Sequence, residues 1–261
     1  MTSRTFAIGG DLTVNRLGYG AMRLTGQPSN FGPFPDWRAG LALVRRAQNL
    51  GIDFIDSAYA YGPLHADQLV GEALEGRKAV IATKGGVDKP EPGRIIADAS
   101  RDTLLRQIDE QLTALRRDQI DLYQLHRIDP QVPLEVSLAA LREAQEDGRI
   151  RHIGLSNVTL QDLRRAQQVA PIASVQNRFN MADLEQAPLV KATAAEGIAF
   201  IPYGPLGAHP MRQGAKLAPR EALAWLLRYS PNIIVIPGTT AVAHLEENWR
   251  AWEDVSETPR T

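Results

Sequence analysis

Four side chains in the first half of the chain form a set that could move a proton. Asp56 and Tyr61 lie close together, Lys84 precedes two glycines, and His126 ends an apolar run. A carbonyl that accepts a hydride becomes an alkoxide and needs a proton from a positioned acid. Because the pKa of a free tyrosine is about 10, we expect the Lys84 ammonium to lower the pKa of Tyr61. Asp56 would keep that ammonium charged, and His126 would orient the carbonyl.

Each of these residues also has an ordinary structural interpretation. Asp56 could cap a turn, and Tyr61 could be a loop aromatic. Lys84 could be a solvated lysine, since lysines are rarely buried without a partner. His126 could be a hydrogen-bonded structural histidine. The combination favours chemistry only if the fold brings the carboxylate, phenol, ammonium and imidazole to one place.

The elements that must position these side chains alternate between helix and strand. Gly51, Gly148 and Gly197 each follow an amphipathic stretch and precede a short apolar run. This pattern is typical of a helix that ends in a left-handed glycine before a buried strand. Over the whole chain it predicts eight helices that alternate with eight strands. The predicted strands are 17–22, 52–56, 80–84, 121–126, 149–156, 173–177, 198–203 and 233–237.

Alternation of this kind implies parallel strands with right-handed crossovers, and eight such units close a barrel. The predicted fold is therefore α/β, a single (β/α)8 TIM barrel domain over residues 1–261. Residues 1–13, with Gly9 and Gly10 between two short runs, predict a β-hairpin that plugs the N-terminal end. The alternative is a doubly wound open sheet, but segment 18–23 lacks the third glycine of a G-x-G-x-x-G turn.

Composition narrows the class of protein. The 261 residues carry 29 Lys+Arg and 30 Asp+Glu, and this near-neutral balance argues against nucleic-acid binding. The absence of Cys excludes disulfides, thiolate metal sites and iron–sulfur clusters, and we expect no metal site. No stretch approaches the roughly 18 apolar residues of a membrane span, and no signal-like run opens the chain. We expect a cytoplasmic protein, a monomer or weak homo-oligomer, whose partner is a small-molecule carbonyl substrate.

On its strand-end motifs the sequence resembles the aldo-keto reductase superfamily. The likeness covers nearly the whole chain in order. The matching segments are 18–23 (GYGAMR), 56–62 (DSAYAYG), 81–84 (IATK), 121–126 (DLYQLH), 148–157, 175–177, 202–206 (PYGPL) and 234–239 (IVIPGT). The opening and ending look like bacterial members near the pyridoxal reductases, which is a hint about lineage and does not fix the substrate.

The resemblance implies a barrel that binds NADPH, or NADH, with Asp56, Tyr61, Lys84 and His126 as the catalytic tetrad. Tyr61 would be the general acid in reduction and the base in oxidation. Residues that match the family's cofactor contacts include Ser156, Asn157 and Gln176 for the nicotinamide carboxamide, and Tyr203 for stacking on its ring. The other candidate cofactor-binding residues are Gly204, Pro205, Leu206, Gly238, Thr239, Thr240, His244, Glu247 and Asn248.

Two positions depart from the pattern of the family. Many members carry Lys where this chain has Gly238 and Arg where it has His244, and both cations pair with the adenosine 2′-phosphate. Thr239, Thr240 and the N-terminus of the last helix are left to receive that phosphate, with a protonated His244 or Arg212 as alternative cations. The sequence therefore favours NADPH but leaves NADH open.

The candidate substrate-binding residues are Tyr19, Met22, Phe31 and Phe34. The alternative for the two phenylalanines is that they anchor the first loop to the barrel. The expected function is NADPH-dependent reduction of an aldehyde or ketone to an alcohol, with pyridoxal-like or aromatic aldehydes among the substrates. Two alternatives are an NADP(H)-binding regulatory subunit with little turnover and a Schiff-base lyase in which Lys84 is the nucleophile.

Overall fold

The computed structural model describes residues 3–205 and 218–257. An antiparallel hairpin opens this part of the chain, with strands β1 (Thr5–Ile8) and β2 (Leu12–Asn15). Gly9 and Gly10 form its turn with φ of 63° and 87°, a region that glycine enters without steric strain. The predicted N-terminal hairpin is therefore confirmed.

Seven parallel strands follow the hairpin and form one curved sheet. The strands of this sheet are β3 (Tyr19–Gly20), β4 (Phe54–Asp56), β5 (Val80–Gly85), β8 (Ile120–Leu125), β9 (Ile150–Ser156), β10 (Ile172–Gln176) and β11 (Ala199–Phe200), which is also their spatial order. Two further strands, β6 (Val87–Glu91) and β7 (Arg94–Ala97), pair separately.

The eighth predicted strand, 233–237, is not a regular strand, yet it closes the barrel. It forms parallel bridges to Phe200 on one edge of the sheet and to Leu17 on the other. The backbone N–H of Gly18 donates to the carbonyl oxygen of Val235 at 2.8 Å. The two edges of the sheet therefore meet through this segment, which confirms the (β/α)8 barrel.

Helices surround the strands, and their ends follow the sequence signals. Gly51, Gly148 and Gly197 adopt φ of 100°, 79° and 68°. Thr159 begins the fifth helix with a reciprocal capping box to Asp162. The helices are α1 (Trp37–Asn49), α2 (His65–Ala73), α3 (Arg101–Leu115), α4 (Leu134–Glu146), α5 (Leu160–Ala166), α6 (Ala187–Ala195), α7 (Pro219–Tyr229), α8 (Val242–Trp249) and α9 (Ala251–Glu257). Only α9 was not predicted; it packs against α7 through the ion pair Arg220–Asp254.

The apolar core has two layers. Inside the barrel, Ile8, Leu12 and Val14 of the hairpin pack with inward-facing strand residues such as Phe54 and Leu122. The larger layer lies between the strands and the helices. Because the hairpin fills the N-terminal end, the open mouth of the barrel lies at the carboxyl ends of the strands. Among the described helices, none has the length and apolar character of a membrane span.

An unpredicted hairpin stands beside this mouth. Strands β6 and β7 pair antiparallel between β5 and α3. Lys89 Nζ donates to the carbonyl oxygens of Ser29 and Asn30 at 2.6 and 2.9 Å and so ties the hairpin to the loop after β3. The sequence does not predict these strands because Pro90 and Pro92 interrupt the run, and proline is a poor strand residue.

Candidate active site

The four candidate catalytic side chains converge at the open mouth of the barrel. Asp56 ends β4, Lys84 lies near the end of β5, and His126 follows β8 directly. These three strands are neighbours in the sheet. Tyr61 comes from the turn after β4, where its backbone N–H donates to the carbonyl oxygen of Ala58 at 3.0 Å.

A buried ion pair forms the base of the site. Lys84 Nζ donates to Asp56 Oδ2 at 2.7 Å and to the carbonyl oxygen of Ser57 at 2.7 Å. The side chains of Lys84 and Asp56 are only 1% and 2% exposed. Gln176 Nε2 donates to Asp56 Oδ1 at 2.9 Å. Burial is the largest single effect on the pKa of Lys84 and lowers it, but the charges and hydrogen bonds of Asp56 and Tyr61 together raise this pKa by more. The net pKa of Lys84 is therefore raised, and the ammonium stays charged.

Tyr61 lies directly beside this ammonium. Lys84 Nζ is 3.5 Å from Tyr61 Oη, a long hydrogen bond, and 5.1 Å from the centre of the ring. Burial raises the pKa of Tyr61, the charge of Lys84 lowers it, and Asp56 raises it, with burial as the largest effect. The expected lowering of the tyrosine pKa is therefore wrong as a net effect. Lys84 acts in the predicted direction, but loss of solvent outweighs it.

His126 forms the opposite side of the site. Its ring meets the ring of Tyr61 edge-on, with centres 6.2 Å apart. Burial, Lys84 and Arg127 hold the pKa of His126 well below its ordinary value, so the imidazole is neutral and carries one N–H. Nδ1 is buried without a hydrogen-bond partner among the described residues. The ring lines the open cleft.

Asp67, which sequence reasoning missed, lies beneath the ion pair. This residue of α2 is fully buried and accepts hydrogen bonds from Gln111 Nε2 at 2.9 Å and Thr83 Oγ1 at 3.3 Å. Burial raises the pKa of Asp67, and its negative charge in turn raises the pKa of Tyr61. The sequence signal for Asp67 was its position three residues before Val70, on the apolar face of a predicted helix, where a carboxylate is rare.

The site opens into a groove made of two adjoining cavities. Their volumes are ≈ 210 Å³ and ≈ 150 Å³. The residues that line both cavities are Met22, Tyr61, Gln176, Tyr203 and Gly204. The second cavity continues past Pro205 to Gly238. The groove thus connects Asp56, Tyr61 and His126 with several of the candidate cofactor residues, while Lys84 is buried outside its lining.

Polar side chains from β9 and β10 form one wall of this groove. Asn157 is left-handed at φ 59°, which turns its side chain back toward the strand ends. Its Nδ2 donates to Ser156 Oγ at 3.0 Å and to the carbonyl oxygen of His126 at 3.1 Å. The hydroxyl of Tyr203 donates to Asn157 Oδ1 at 2.8 Å. These bonds hold the wall and the ring of Tyr203 in fixed positions.

The polar atoms that remain free on this wall fit a carboxamide. Ser156 Oγ accepts from Asn157, so its own O–H is left as a donor. Gln176 Nε2 is used by Asp56, so Oε1 is left as an acceptor. A nicotinamide carboxamide offers one acceptor and one donor group, which match this pair. The aromatic face of Tyr203 lines the same cavity.

Gly238 lies where the chain passes close to β3. A Cβ added at Gly238 would lie 2.7 Å from the carbonyl oxygen of Gly20. Any side chain at this position, lysine included, would force the two backbone segments apart. The presence of glycine at position 238, where many family members carry lysine, therefore has a steric reason in this barrel.

The remaining candidate cofactor residues lie on or before α8. Thr239 is buried, and its Oγ1 accepts from the backbone N–H of Ala241 at 3.1 Å. Asn248 is also buried, while Thr240, His244 and Glu247 are exposed. Leu206 and Arg212 lie outside the described residues.

The candidate substrate residues separate into two groups. Met22 lines both cavities. Tyr19 does not reach the groove, since it is fully buried and its hydroxyl donates to the carbonyl oxygen of Thr239 at 2.6 Å. Phe34 packs against the core, and neither it nor Phe31 lines the two cavities. Within the described residues, this part of the first cavity's wall comes instead from the β6–β7 hairpin, through Val87, Lys89, Gly93 and Ile95.

Comparison with known proteins gives the family. The Aldo/keto reductase family model matches residues 16–221. Pyridoxine 4-dehydrogenase of Escherichia coli (strain K12) is 38% identical over 269 residues, covering 96% of this chain and 93% of the relative. The aldo-keto reductase yakc [NADP(+)] of Schizosaccharomyces pombe is 31% identical over 301 residues, covering 96% and 87%. The glycerol dehydrogenase structure from Gluconobacter oxydans superposes with a TM-score of 0.85 at 24% identity, covering 100% and 92%. The chain belongs to the aldo/keto reductase family.

Proposed function

We propose that this protein is an NADPH-dependent oxidoreductase that reduces an aldehyde or ketone to an alcohol. The observation that carries the proposal is the contact between the Lys84 ammonium and the Tyr61 phenol, 3.5 Å apart at the base of an open groove. Such a contact supplies a proton donor together with a charge that stabilises the phenolate left behind. Family membership and the relative named for NADP(+) support the choice of cofactor.

In this mechanism the residues bind, orient and protonate the carbonyl. NADPH, when bound, supplies the hydride. The neutral His126 donates from Nε2 to the carbonyl oxygen and orients it toward Tyr61. Tyr61 then gives its hydroxyl proton to the oxygen that gains negative charge. Because burial raises the pKa of Tyr61, the phenol is protonated and ready to donate at neutral pH.

Lys84 and Asp56 support this proton transfer without touching the substrate. The Lys84 ammonium stabilises the phenolate that forms on Tyr61. Asp56 keeps the ammonium charged and fixed in position through their 2.7 Å contact. In the oxidative direction the same phenolate would accept the proton from an alcohol.

The groove also has a consistent place for the cofactor. Ser156 and Gln176 would hold the carboxamide, and Tyr203 would support one face of the ring. From there the cofactor would follow Gly204 and Pro205 toward Gly238. The residues proposed around its adenosine end are Thr239, Thr240, His244, Glu247 and Asn248.

Pyridoxal-like and aromatic aldehydes are the proposed substrates. The support is the 38% identity to a pyridoxine 4-dehydrogenase, together with the apolar side chains of Met22, Val87 and Ile95 on the cavity wall. A lyase that uses Lys84 as nucleophile is less well supported. A nucleophilic lysine must be a neutral amine, whereas the Lys84 ammonium is charged, almost fully enclosed and already hydrogen-bonded to Asp56 and Ser57.

The test is to measure turnover with a panel of aldehydes and with each of the two reduced nicotinamide cofactors. The absorbance of the cofactor monitors the reaction. Tyr61→Phe should lower turnover by about 10²- to 10⁴-fold and leave the Kd for NADPH unchanged. Tyr59→Phe is the matched control, because the Tyr59 hydroxyl bonds Glu110 outside the groove. Sustained NADPH oxidation separates an enzyme from a regulatory subunit. Full activity in Tyr61→Phe would refute the proposed acid.

A further inference from the structure

The outer wall of the first cavity carries a positive charge that has no partner among the described residues. Arg127 follows His126 directly, is exposed and lines this cavity. It forms no hydrogen bond or ion pair within residues 3–205 and 218–257. Its charge contributes to the lowered pKa of His126 and opposes the rise that burial causes in the pKa of Tyr203, so the guanidinium lies near both rings.

A second cation lines the same cavity. Lys89 of β6 is only 7% exposed, and its Nζ donates to two carbonyl oxygens, of Ser29 and Asn30. An ammonium has three N–H donors, so one remains available. Burial lowers the pKa of Lys89. No carboxylate within the described part of the chain forms an ion pair with this ammonium.

The lining of this cavity includes no acidic side chain among the described residues. Its other members are apolar, such as Met22, Val87 and Ile95, or neutral and polar, such as Asn30. Lys89 is the nearly enclosed cation of this cavity, and a buried positive charge without a negative partner is unfavourable in a protein. A bound anion would offset that cost, and a guanidinium can hold a carboxylate or phosphate through two parallel hydrogen bonds.

We propose that the substrate is an aldehyde with an anionic group, a carboxylate or a phosphate monoester, which Arg127 and Lys89 bind. The aldehyde carbon would lie at Tyr61, and an apolar body would pack against Val87 and Ile95. This inference rests on the proposed function and adds the substrate class to it. Arg127 would then be the residue that determines specificity.

The test compares aldehydes that differ in charge. The pair is 4-carboxybenzaldehyde and its neutral methyl ester, assayed with wild type, Arg127→Gln and Arg127→Lys. We expect Arg127→Gln to raise KM for the carboxylate by about 10- to 100-fold, to leave the ester unchanged, and Arg127→Lys to recover part of the loss. Arg38→Gln, an exposed arginine of α1 away from the cleft, is the matched control.

A second pair, pyridoxal 5′-phosphate and pyridoxal, distinguishes a phosphate from a carboxylate. A selective loss in Arg127→Gln with either anion supports the proposal. If both neutral and anionic aldehydes are reduced and Arg127→Gln affects them equally, the proposal is overturned while the reductase function stands. A weaker Kd for NADPH in Arg127→Gln would also overturn it, since the cation would then serve the cofactor.

A binding measurement covers the case in which no aldehyde is reduced. That result would refute the proposed function. Calorimetric titration with 4-(hydroxymethyl)benzoate and with benzyl alcohol then tests the anion site independently of turnover. Binding of the benzoate that Arg127→Gln abolishes would support the site, and equal binding by the variant would overturn it.

Discussion

Asp56 and Lys84 form their 2.7 Å ion pair because two neighbouring strands run parallel and in a fixed register. Asp56 of β4 lies opposite Ala82 of β5. Lys84 is two residues further along β5, so it points to the same side of the sheet as Ala82. The ammonium thus reaches the carboxylate from one pleat further toward the open mouth. A slip of one residue in this register would turn Lys84 to the opposite side.

Lys84→Met should abolish turnover and also destabilise the fold. It leaves the Asp56 charge buried and unpaired, which costs about 3–5 kcal/mol of unfolding free energy. Urea denaturation measures this loss. Lys84→Met combined with Asp56→Asn should recover part of the stability and none of the activity. The exposed Lys78→Met serves as control, and a Lys84→Met variant as stable as wild type would contradict the buried-pair interpretation.

The rate of reduction should be independent of pH around neutrality. Burial keeps the pKa of Tyr61 above its ordinary value, and the pKa of His126 lies well below its own. The acid is lost only as pH rises through the tyrosine pKa, so kcat/KM should be flat from about pH 6.5 to about pH 9 and then fall. The profile is measured with a substrate that does not ionise. A midpoint near neutrality would show that another group controls the step.

Asp67→Asn should move the alkaline limb of that profile to lower pH. Its negative charge raises the pKa of Tyr61, and removing the charge makes the phenolate easier to form. We expect a shift of up to about one pH unit with little change in KM. Asp109→Asn, on the exposed face of α3, is the control. An unmoved profile would mean that Asp67 has only a structural role.

His244→Arg should tighten NADPH binding while leaving NADH binding unchanged. An exposed cation near the start of α8 would pair with the 2′-phosphate, and such solvated pairs contribute about 0.5–1 kcal/mol, or about 2- to 5-fold in Kd. Position 244 is chosen because Gly238 has no room for a side chain. Fluorescence titration with both cofactors measures the effect. Equal tightening of NADH would place the 2′-phosphate elsewhere.

The sequence alone determined the barrel and the types of residues at its mouth. Helix and strand periods are local properties, because they follow from the backbone angles and burial pattern of neighbouring residues. The glycines after α1, α4 and α6 mark helix ends for the same reason. Since parallel strands bring their carboxyl ends to one edge, the meeting of Asp56, Lys84 and His126 could also be predicted.

Only the tertiary structure decided how these residues are surrounded. The pKa of Tyr61 depends on how much solvent the loops exclude, which no local pattern records. Gln176 bonds Asp56 across the barrel, and Tyr19 is withdrawn from the groove by its bond to Thr239. Contacts between residues so distant in sequence depend on strand register and loop path. For the same reason the structure, not the sequence, places Arg127 on the wall of the cavity.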